Sequence, residues 1–231
     1  MPNFQTATVI KNEVLAAKFH DLVLQTETSF SFLPGQFVSI KINETKMNAY
    51  SVAGKLNDKQ FGLLIDTEPG GLGSQYIDKL KPGDKVEFMG PLGHMTLKLD
   101  DGATNLYFMS TGCGIAPLKA MIEAALVEYK TDKQLTLYLG LRHCNDVFWD
   151  QYFNDLQNRF TNFHFKLVLS KPEGAWCGVA GHITDLAKVE VKDPVNSAVY
   201  ICGSVRMADE AIKLFEEMGT PKARIYFEKY G

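Results

Sequence analysis

Residues 105–122 read NLYFMSTGCGIAPLKAMI, which passes from an apolar run through a glycine-containing turn into apolar residues at helical spacing. We therefore predict a strand, a tight turn and a helix. Gly112 and Gly114 would let the turn approach a diphosphate, and the start of the helix offers free N–H groups. Pro117 suits the first helical turn, where no donor is needed. A turn that simply needs two glycines would look the same, because the full dinucleotide fingerprint is absent.

The alternation of strand and helix continues from this stretch to the C-terminus. Further strands are predicted at residues 134–142, 163–170, 198–204 and 224–230, and helices at residues 118–130, 147–160, 181–189 and 207–219. Strands that alternate with helices through right-handed crossovers form a parallel sheet with helices on both faces. Residues 102–231 are therefore predicted to form a doubly wound α/β nucleotide-binding domain.

The region before this stretch has short alternating runs, separated by proline, glycine, asparagine and aspartate. Strands are predicted at residues 6–14, 15–25, 35–42, 48–54, 60–67 and 84–93. Strands of this length and spacing are typical of an antiparallel barrel or sandwich. We also predict a helix at residues 74–79 with Ser74 as its N-cap. The polar segment LDDGAT, residues 99–104, separates the two patterns, so residues 1–101 form the first predicted domain.

The composition is that of an ordinary soluble globular protein. The 231 residues carry a formal net charge of −3, so no basic field would attract nucleic acid or an anionic membrane. No apolar run approaches the roughly 20 residues that span a bilayer, and the N-terminus lacks the zones of a secretory signal, so a cytoplasmic location is expected. The four cysteines lie far apart without a C-x-x-C pair, which argues against a metal site or an iron–sulfur cluster on this chain.

A second glycine-rich run, EPGGLGSQY at residues 68–76, lies in the strand-rich half. Gly71 and Gly73, followed by Ser74 at the start of a helix, could cradle a phosphate in the same physical way. The alternative is a flexible hairpin loop. Two phosphate cradles, one in each half, suggest two nucleotides that meet between two domains.

The run MNAYSV, residues 47–52, alternates as a strand does. Tyr50 could lay its ring on a planar aromatic ligand, and the Ser51 hydroxyl could donate to a ring nitrogen. Cross-strand packing of Tyr50 is the plainer explanation.

Two features near the C-terminus complete the set of candidates. Cys202 ends a predicted parallel strand, at the edge where such sheets bind ligands, although a buried small residue would look the same. Glu228 and Tyr230 could bring a carboxylate and a ring to the boundary between the domains, or belong to a frayed terminus.

Taken in order, these motifs resemble those of the ferredoxin–NADP reductase superfamily, and especially its bacterial members, including the reductase components of oxygenases. The resemblance covers nearly the whole chain, through FLPGQFVSI, NAYS, GGLGSQYIDKLKPGDKVEFMGPLG, STGCGIAPLKAMI, LYLGLR, VYICGSVRM and EKYG. It implies an antiparallel β-barrel that binds FAD (FMN less readily), followed by a domain that binds NADH or NADPH.

The same resemblance implies roles for individual residues. Tyr50 would stack on the flavin, and Ser51, Cys202, Glu228 and Tyr230 would surround the reacting rings as the catalytic set. The residues implied to bind the two cofactors are Asn48, Tyr50, Ser51, Val52, Ile65, Gly71, Gly73, Ser74, Thr111, Gly112, Gly114, Pro117, Arg142, Cys202, Gly203 and Met207.

One position departs from the family pattern. Asn48 stands where the family has an arginine that pairs with flavin phosphate, and a neutral amide cannot replace that charge-assisted contact. We therefore expect weaker retention of flavin. Lys46 would lie on the same strand face by alternation and is a hypothetical replacement for the charge.

The expected activity is FAD-dependent oxidation of NAD(P)H, with electrons passed to ferredoxin or another separate acceptor protein. Three alternatives stay open: a free flavin reductase, an electron-transfer subunit of a larger oxidoreductase, and a non-catalytic nucleotide-binding module. The choice between NADH and NADPH also stays open, although SKPEGAW at residues 170–176 favours NADH slightly.

Overall fold

The computed structural model describes residues 4–174 and 176–230. In it, the first half of the chain closes into an antiparallel β-barrel. Its strands adjoin in the order β1-β2-β5-β4-β3-β6, and a single helix, α1, lies between β5 and β6. Their bounds are β1 Gln5–Ala16, β2 Phe19–Thr26, β3 Phe37–Lys41, β4 Met47–Asn57, β5 Gln60–Asp66, α1 Leu72–Lys79 and β6 Lys85–Leu92. The sequence pattern left barrel and sandwich open, and the closed barrel that the family resemblance implies is confirmed.

The second half is a six-stranded parallel sheet in the order β10-β9-β8-β7-β11-β12. Apolar residues of α2 and α3 are buried in one core cluster, and those of α4 and α5 in another, which confirms a doubly wound arrangement. The bounds are β7 Asn105–Thr111, α2 Ile115–Glu123, β8 Gln134–Leu141, α3 Asp150–Arg159, β9 Phe163–Leu169, β10 Val179–Ala180, α4 Ile183–Glu190, β11 Ser197–Ser204, α5 Val205–Met218 and β12 Ile225–Tyr230.

The start of α1 was predicted wrongly. The helix begins at Leu72 with Gly71 as its N-cap, whereas Ser74 is a buried residue inside the first turn. Gly71 has an extended backbone and leads directly into the helix, so no serine side chain is needed to begin it. The consequence is a helix start without a side-chain cap, which leaves its N–H groups free.

Other element ends differ from the sequence pattern for local reasons. The hairpin between β1 and β2 turns at Ala17, whose φ of +40° is adopted without a glycine. Helix α3 begins only at Asp150, because Trp149 has φ +55° and cannot belong to a right-handed helix. Helix α2 begins earlier than predicted, at Ile115, and passes into a π-helical turn, Ala124–Glu128.

The two halves share a core. Phe19 of the barrel packs against Phe148 of the α/β half with ring centroids 4.6 Å apart. The Tyr200 hydroxyl receives a hydrogen bond of 2.8 Å from the backbone N–H of Lys98, in the connection between the halves. Helix α2 packs directly on β4, since Ala53 belongs to the same apolar cluster as its buried face. The strand of the MNAYSV run and the helix after the STGCGIAP turn are therefore in fixed contact. Among the described residues, no helix has both the length and the apolarity needed to cross a bilayer.

Candidate functional site

A cleft of about 730 Å³ opens where the parallel strands end and the barrel begins. The α/β half contributes Thr111, Arg142 and Met207 among the predicted residues, and the barrel contributes Phe19 and Asp66. Because the carboxyl ends of parallel strands meet at this edge, it is the usual place for a nucleotide in such a sheet. The volume lies within the range of small-molecule sites.

The turn between β7 and α2 lies very close to the end of β11. A Cβ atom placed on Gly114 would be 2.2 Å from the carbonyl oxygen of Cys202 and 2.7 Å from the backbone nitrogen of Gly203. Gly112 has φ +55°, a conformation that glycine adopts without strain. Both glycines are therefore required by geometry, and the turn presents the uncapped start of α2 at the cleft.

The end of β11 is held to the same turn by a second set of contacts. The Thr111 hydroxyl accepts a hydrogen bond of 3.2 Å from the N–H of Ser204. Gly203 has φ +152°, and a Cβ atom there would lie 2.4 Å from Thr111 Oγ1 and 2.8 Å from Met207 Cε. Among the described residues, the buried Ser110 hydroxyl at the end of β7 has no hydrogen-bond partner. The predicted residues Thr111, Gly203 and Met207 thus form one wall.

Three members of the predicted catalytic set meet at the boundary between the halves. The hydroxyls of Ser51 on β4 and Tyr230 on β12 are 2.5 Å apart, and Cys202 is within hydrogen-bonding reach of Tyr230. Burial raises the pKa of the Cys202 thiol far above its usual value, so the thiol is uncharged near neutral pH. The group can orient and donate, but it is no thiolate nucleophile.

Glu228 occupies the same strand as Tyr230, opposite Cys202 in the β11–β12 register. Its carboxyl lies beside Gly93, in the loop that follows β6, since a Cβ on Gly93 would be 3.5 Å from Glu228 Oε1. Burial raises the pKa of the Glu228 carboxyl from 4.5 to about 7. The side chain therefore changes charge near neutral pH, and it does not itself line the cleft.

This pKa shift predicts a pH-dependent stability. Between pH 4.5 and 7 the folded chain holds a proton on Glu228 that the unfolded chain has lost, so the free energy of unfolding falls as the pH rises. Urea unfolding measures the free energy of unfolding of Glu228→Gln relative to the parent. We expect this difference to be more favourable to the variant at pH 8 than at pH 5, by about 1–3 kcal/mol. Glu217→Gln on the exposed face of α5 is the matched control and should show no such gain. Equal differences at both pH values would contradict the burial of this carboxyl.

On the barrel side, the MNAYSV strand meets the glycine-rich run. The Asn48 amide donates to the Tyr50 hydroxyl over 3.3 Å. A Cβ atom on Gly73 would lie 2.1 Å from Asn48 Nδ2 and 2.9 Å from Tyr50 Oη. Burial raises the pKa of the half-buried Tyr50, which stays neutral. The structure therefore brings together Asn48, Tyr50 and the first turn of α1, which sequence spacing alone only suggested.

The start of α1 has the features that a phosphate group requires. Gly71 is exposed, and a Cβ atom there would meet nothing within 4 Å. The first turn contains no acidic residue, and no side chain caps its N–H groups, which point toward the loop. A flavin diphosphate fits this donor set, with Tyr50 placed beside it for the ring system.

Some predicted residues lie away from any open surface. Val52 and Ile65 are buried in the barrel core, and Pro117 is buried in α2. Lys46 is exposed and directly precedes β4, and its backbone carbonyl accepts a hydrogen bond of 2.9 Å from the N–H of Ile42. Its role as a substitute for the missing arginine stays a prediction.

Other residues of the cleft were missed by the sequence reasoning. Phe19 lies 3.8 Å from the Cβ position of Gly112, and Lys18 and Asp66 line the same wall, where Lys18 pairs with Glu68. Burial raises the pKa of Cys113, between the two glycines of the turn, to about 11. Only Cys113 carried a sequence signal, its place in the motif. Lys18 and Phe19 come from the hairpin between β1 and β2, and Asp66 ends β5; the local pattern does not show that these ends lie at the cleft.

A barrel and a doubly wound sheet that share one cleft, each with a glycine-containing turn before a helix start without a side-chain cap, are typical of a two-domain class of nucleotide-dependent redox proteins. Comparison with known families agrees. Residues 6–97 match the model of the oxidoreductase FAD-binding domain, and residues 108–213 match that of the oxidoreductase NAD-binding domain.

Similar solved structures have the same two-part fold. The Amycolatopsis cytochrome P450 reductase GcoB is 27% identical with a TM-score of 0.89, and the match covers 98% of this chain and 69% of that one. A ferredoxin NADP+ reductase from Neisseria gonorrhoeae, solved with bound FAD and NADP, has a TM-score of 0.86 at 19% identity over 99% of both chains. The chain belongs to the ferredoxin–NADP reductase superfamily, and it is an oxidoreductase with FAD- and NAD-binding domains.

Among curated proteins, the chain is similar to one of the subunits of the Na(+)-translocating NADH-quinone reductases. The Marinomonas sp. protein is 32% identical over 85% of this chain and 51% of its own length, and the Pseudomonas aeruginosa protein is 30% identical over 83% and 50%. The chain therefore spans about half the length of the curated relatives it matches.

Proposed function

We propose that this protein is an FAD-dependent NADH oxidoreductase that passes electrons to a separate acceptor protein. The observation that carries the proposal is the contact of Ser51 of the barrel with Tyr230 of the α/β half at the cleft, with Cys202 beside them. We also propose residues 1–101 and 102–231 as the FAD-binding and nicotinamide-binding domains.

In this proposal the chain aligns two rings and excludes water from between them. FAD, when bound, supplies the conversion of a two-electron donor into single-electron steps. Tyr50 would support the flavin ring, and Ser51 would hydrogen-bond its edge. Cys202 would border the nicotinamide as an uncharged group. Tyr230 lines the cleft, so its ring must move aside when a nicotinamide enters.

The proposed donor is NADH. The curated relatives are named NADH-quinone reductases, and the far end of the cleft carries charges of both signs. Arg142 and Lys171 line it, and the neighbouring His143 pairs with Glu173 over 2.5 Å. Glu173 does not itself line the cleft, so the choice of NADH rests on the names of the curated relatives.

The proposed acceptor is a ferredoxin or another one-electron carrier protein. Two similar solved structures support this, since one is a cytochrome P450 reductase from Amycolatopsis and the other is the ferredoxin reductase of a carbazole dioxygenase. The curated relatives are named as subunits of an enzyme, so an electron-transfer subunit is the related alternative.

Anaerobic titration of the FAD-loaded protein tests the proposal. We expect NADH to bleach the flavin absorbance at a lower concentration than NADPH, by at least about tenfold, as the names of the curated relatives suggest. Protein that stays yellow after desalting would favour a bound cofactor over a free flavin substrate. If neither nucleotide bleaches the flavin while dithionite does, the proposed function is wrong.

A further inference from the structure

A half-buried polar cluster joins the barrel to the α/β half outside the cleft. Lys119 of α2 has a side chain only 15% exposed, and its ammonium donates to the carbonyl oxygen of Ala53 on β4 over 3.3 Å. The same ammonium pairs with Glu123 Oε1 over 2.7 Å. One lysine therefore connects a carboxylate of one half to the backbone of the other.

The carboxylate is held by two further contacts. The Tyr152 hydroxyl of α3 donates a hydrogen bond to Glu123 Oε1. A Cβ atom on Gly54 would lie 2.8 Å from Glu123 Oε2, so this oxygen lies directly against the barrel backbone, where Gly54 has φ +154°. We call Lys119, Glu123 and Tyr152 the seam cluster.

Aromatic rings enclose the lysine. Its ammonium lies 4.9 Å from the ring centroid of Tyr152 and 5.4 Å from that of Trp149. Cation–π contacts of this length strengthen when water is excluded. The pair is only partly exposed, so removing one partner would leave the other charge unpaired in a half-buried position.

Beside the cluster, a cavity of about 570 Å³ separates the two halves. Residues 30–34 of the barrel line one side of it and helical residues line the other, and Glu123 and Tyr152 form part of its wall. Apolar packing between the halves is interrupted at this cavity, next to the contact of α2 with Ala53, and the seam cluster supplies the polar contact at its edge.

The position of the cluster relates it to both nucleotide sites. Lys119 lies one helical turn after Ile115, where α2 leaves the Gly112–Gly114 turn, and Ala53 follows Ser51 by two residues on β4. None of the three cluster residues lines the cleft. We infer that the seam cluster sets the angle between the halves, and through it the approach of the nicotinamide to the flavin; this inference rests on the proposed function. A displacement of 1 Å can lower a transfer rate about 100-fold.

Lys119→Met tests the inference, because methionine keeps the apolar stem and removes the charge. We expect flavin reduction in single turnovers with NADH to slow about tenfold, with the half-saturating NADH concentration and the FAD affinity unchanged within about twofold. Lys119→Arg should recover most of the rate, since it restores a cation. Lys213→Met, an exposed lysine paired with Glu217 on α5, is the matched control and should leave the rate unchanged.

Hydrogen exchange gives a readout that needs no turnover. In the protein without NADH, with and without FAD, Lys119→Met should speed exchange at the Lys98 amide, which bonds to Tyr200 in the connection between the halves, but not in β2 and β5 of the barrel. Faster exchange confined to α2 and α3 would show a merely local role and overturn the inference, as would an unchanged reduction rate. If the flavin of the parent protein is not reduced by NADH, the proposed function fails. Hydrogen exchange would then still test whether the seam cluster holds the two halves at a fixed angle.

Discussion

Gly114→Ala is expected to abolish most NADH-dependent reduction while leaving the flavin in place. The new Cβ would sit 2.2 Å from the carbonyl oxygen and 2.5 Å from the carbonyl carbon of Cys202, and neither backbone atom can rotate away. The turn and the end of β11 must therefore separate by about 1 Å, since van der Waals contacts of this kind need roughly 3 Å or more. We expect the rate of flavin reduction at low NADH to fall at least about 100-fold.

Stopped-flow reduction with NADH measures this effect, and dithionite reduction of the same sample shows that the flavin is intact. FAD affinity should stay within about threefold, because α1 and β4 belong to the barrel. The matched control is Gly62→Ala on β5, whose Cβ would meet only Leu56 Cδ1 at an ordinary 3.7 Å. A Gly114→Ala protein reduced at the parental rate would show that the turn does not hold the nicotinamide nucleotide.

Tyr50→Ala is expected to have the largest effect on flavin retention. The half-buried ring lies beside the first turn of α1, and its removal would take away an apolar surface and a stacking partner for the flavin. Together these losses amount to about 1.5–3 kcal/mol, so the dissociation constant for FAD should rise about 10- to 100-fold. Flavin fluorescence titration of the flavin-free protein measures it.

The comparison variants separate the ring from the hydroxyl. Tyr50→Phe keeps the ring and loses only the bond from Asn48, so its FAD affinity should stay within about threefold of the parent. Tyr129→Ala removes a tyrosine that is 54% exposed on the far side of the chain and should leave FAD affinity unchanged. If Tyr50→Ala bound FAD as tightly as the parent, the role of Tyr50 would be cross-strand packing and not contact with the flavin.

The sequence pattern predicted most of the fold because it records local requirements. Alternation in MNAYSV and helical spacing after STGCGIAP follow from which side of each element is buried, and both elements are present, although α2 begins earlier than predicted. The two glycine-rich turns were found for the same reason, since backbone conformations such as φ +55° at Gly112 demand particular residues. The start of α1 was missed because a glycine N-cap gives no side-chain signal.

Only the tertiary structure determined which residues meet. Ser51 and Tyr230 are 179 positions apart, and Lys119 and Ala53 are 66 apart, yet each pair is in hydrogen-bonding contact. The closure of the barrel and the burial of Val52 and Ile65 also depend on the whole packing. A local pattern indicates which face of a strand or helix is buried, but it does not indicate which other element that face packs against. That choice is made by the contact of surfaces far apart along the chain, where shape and charge must fit at once.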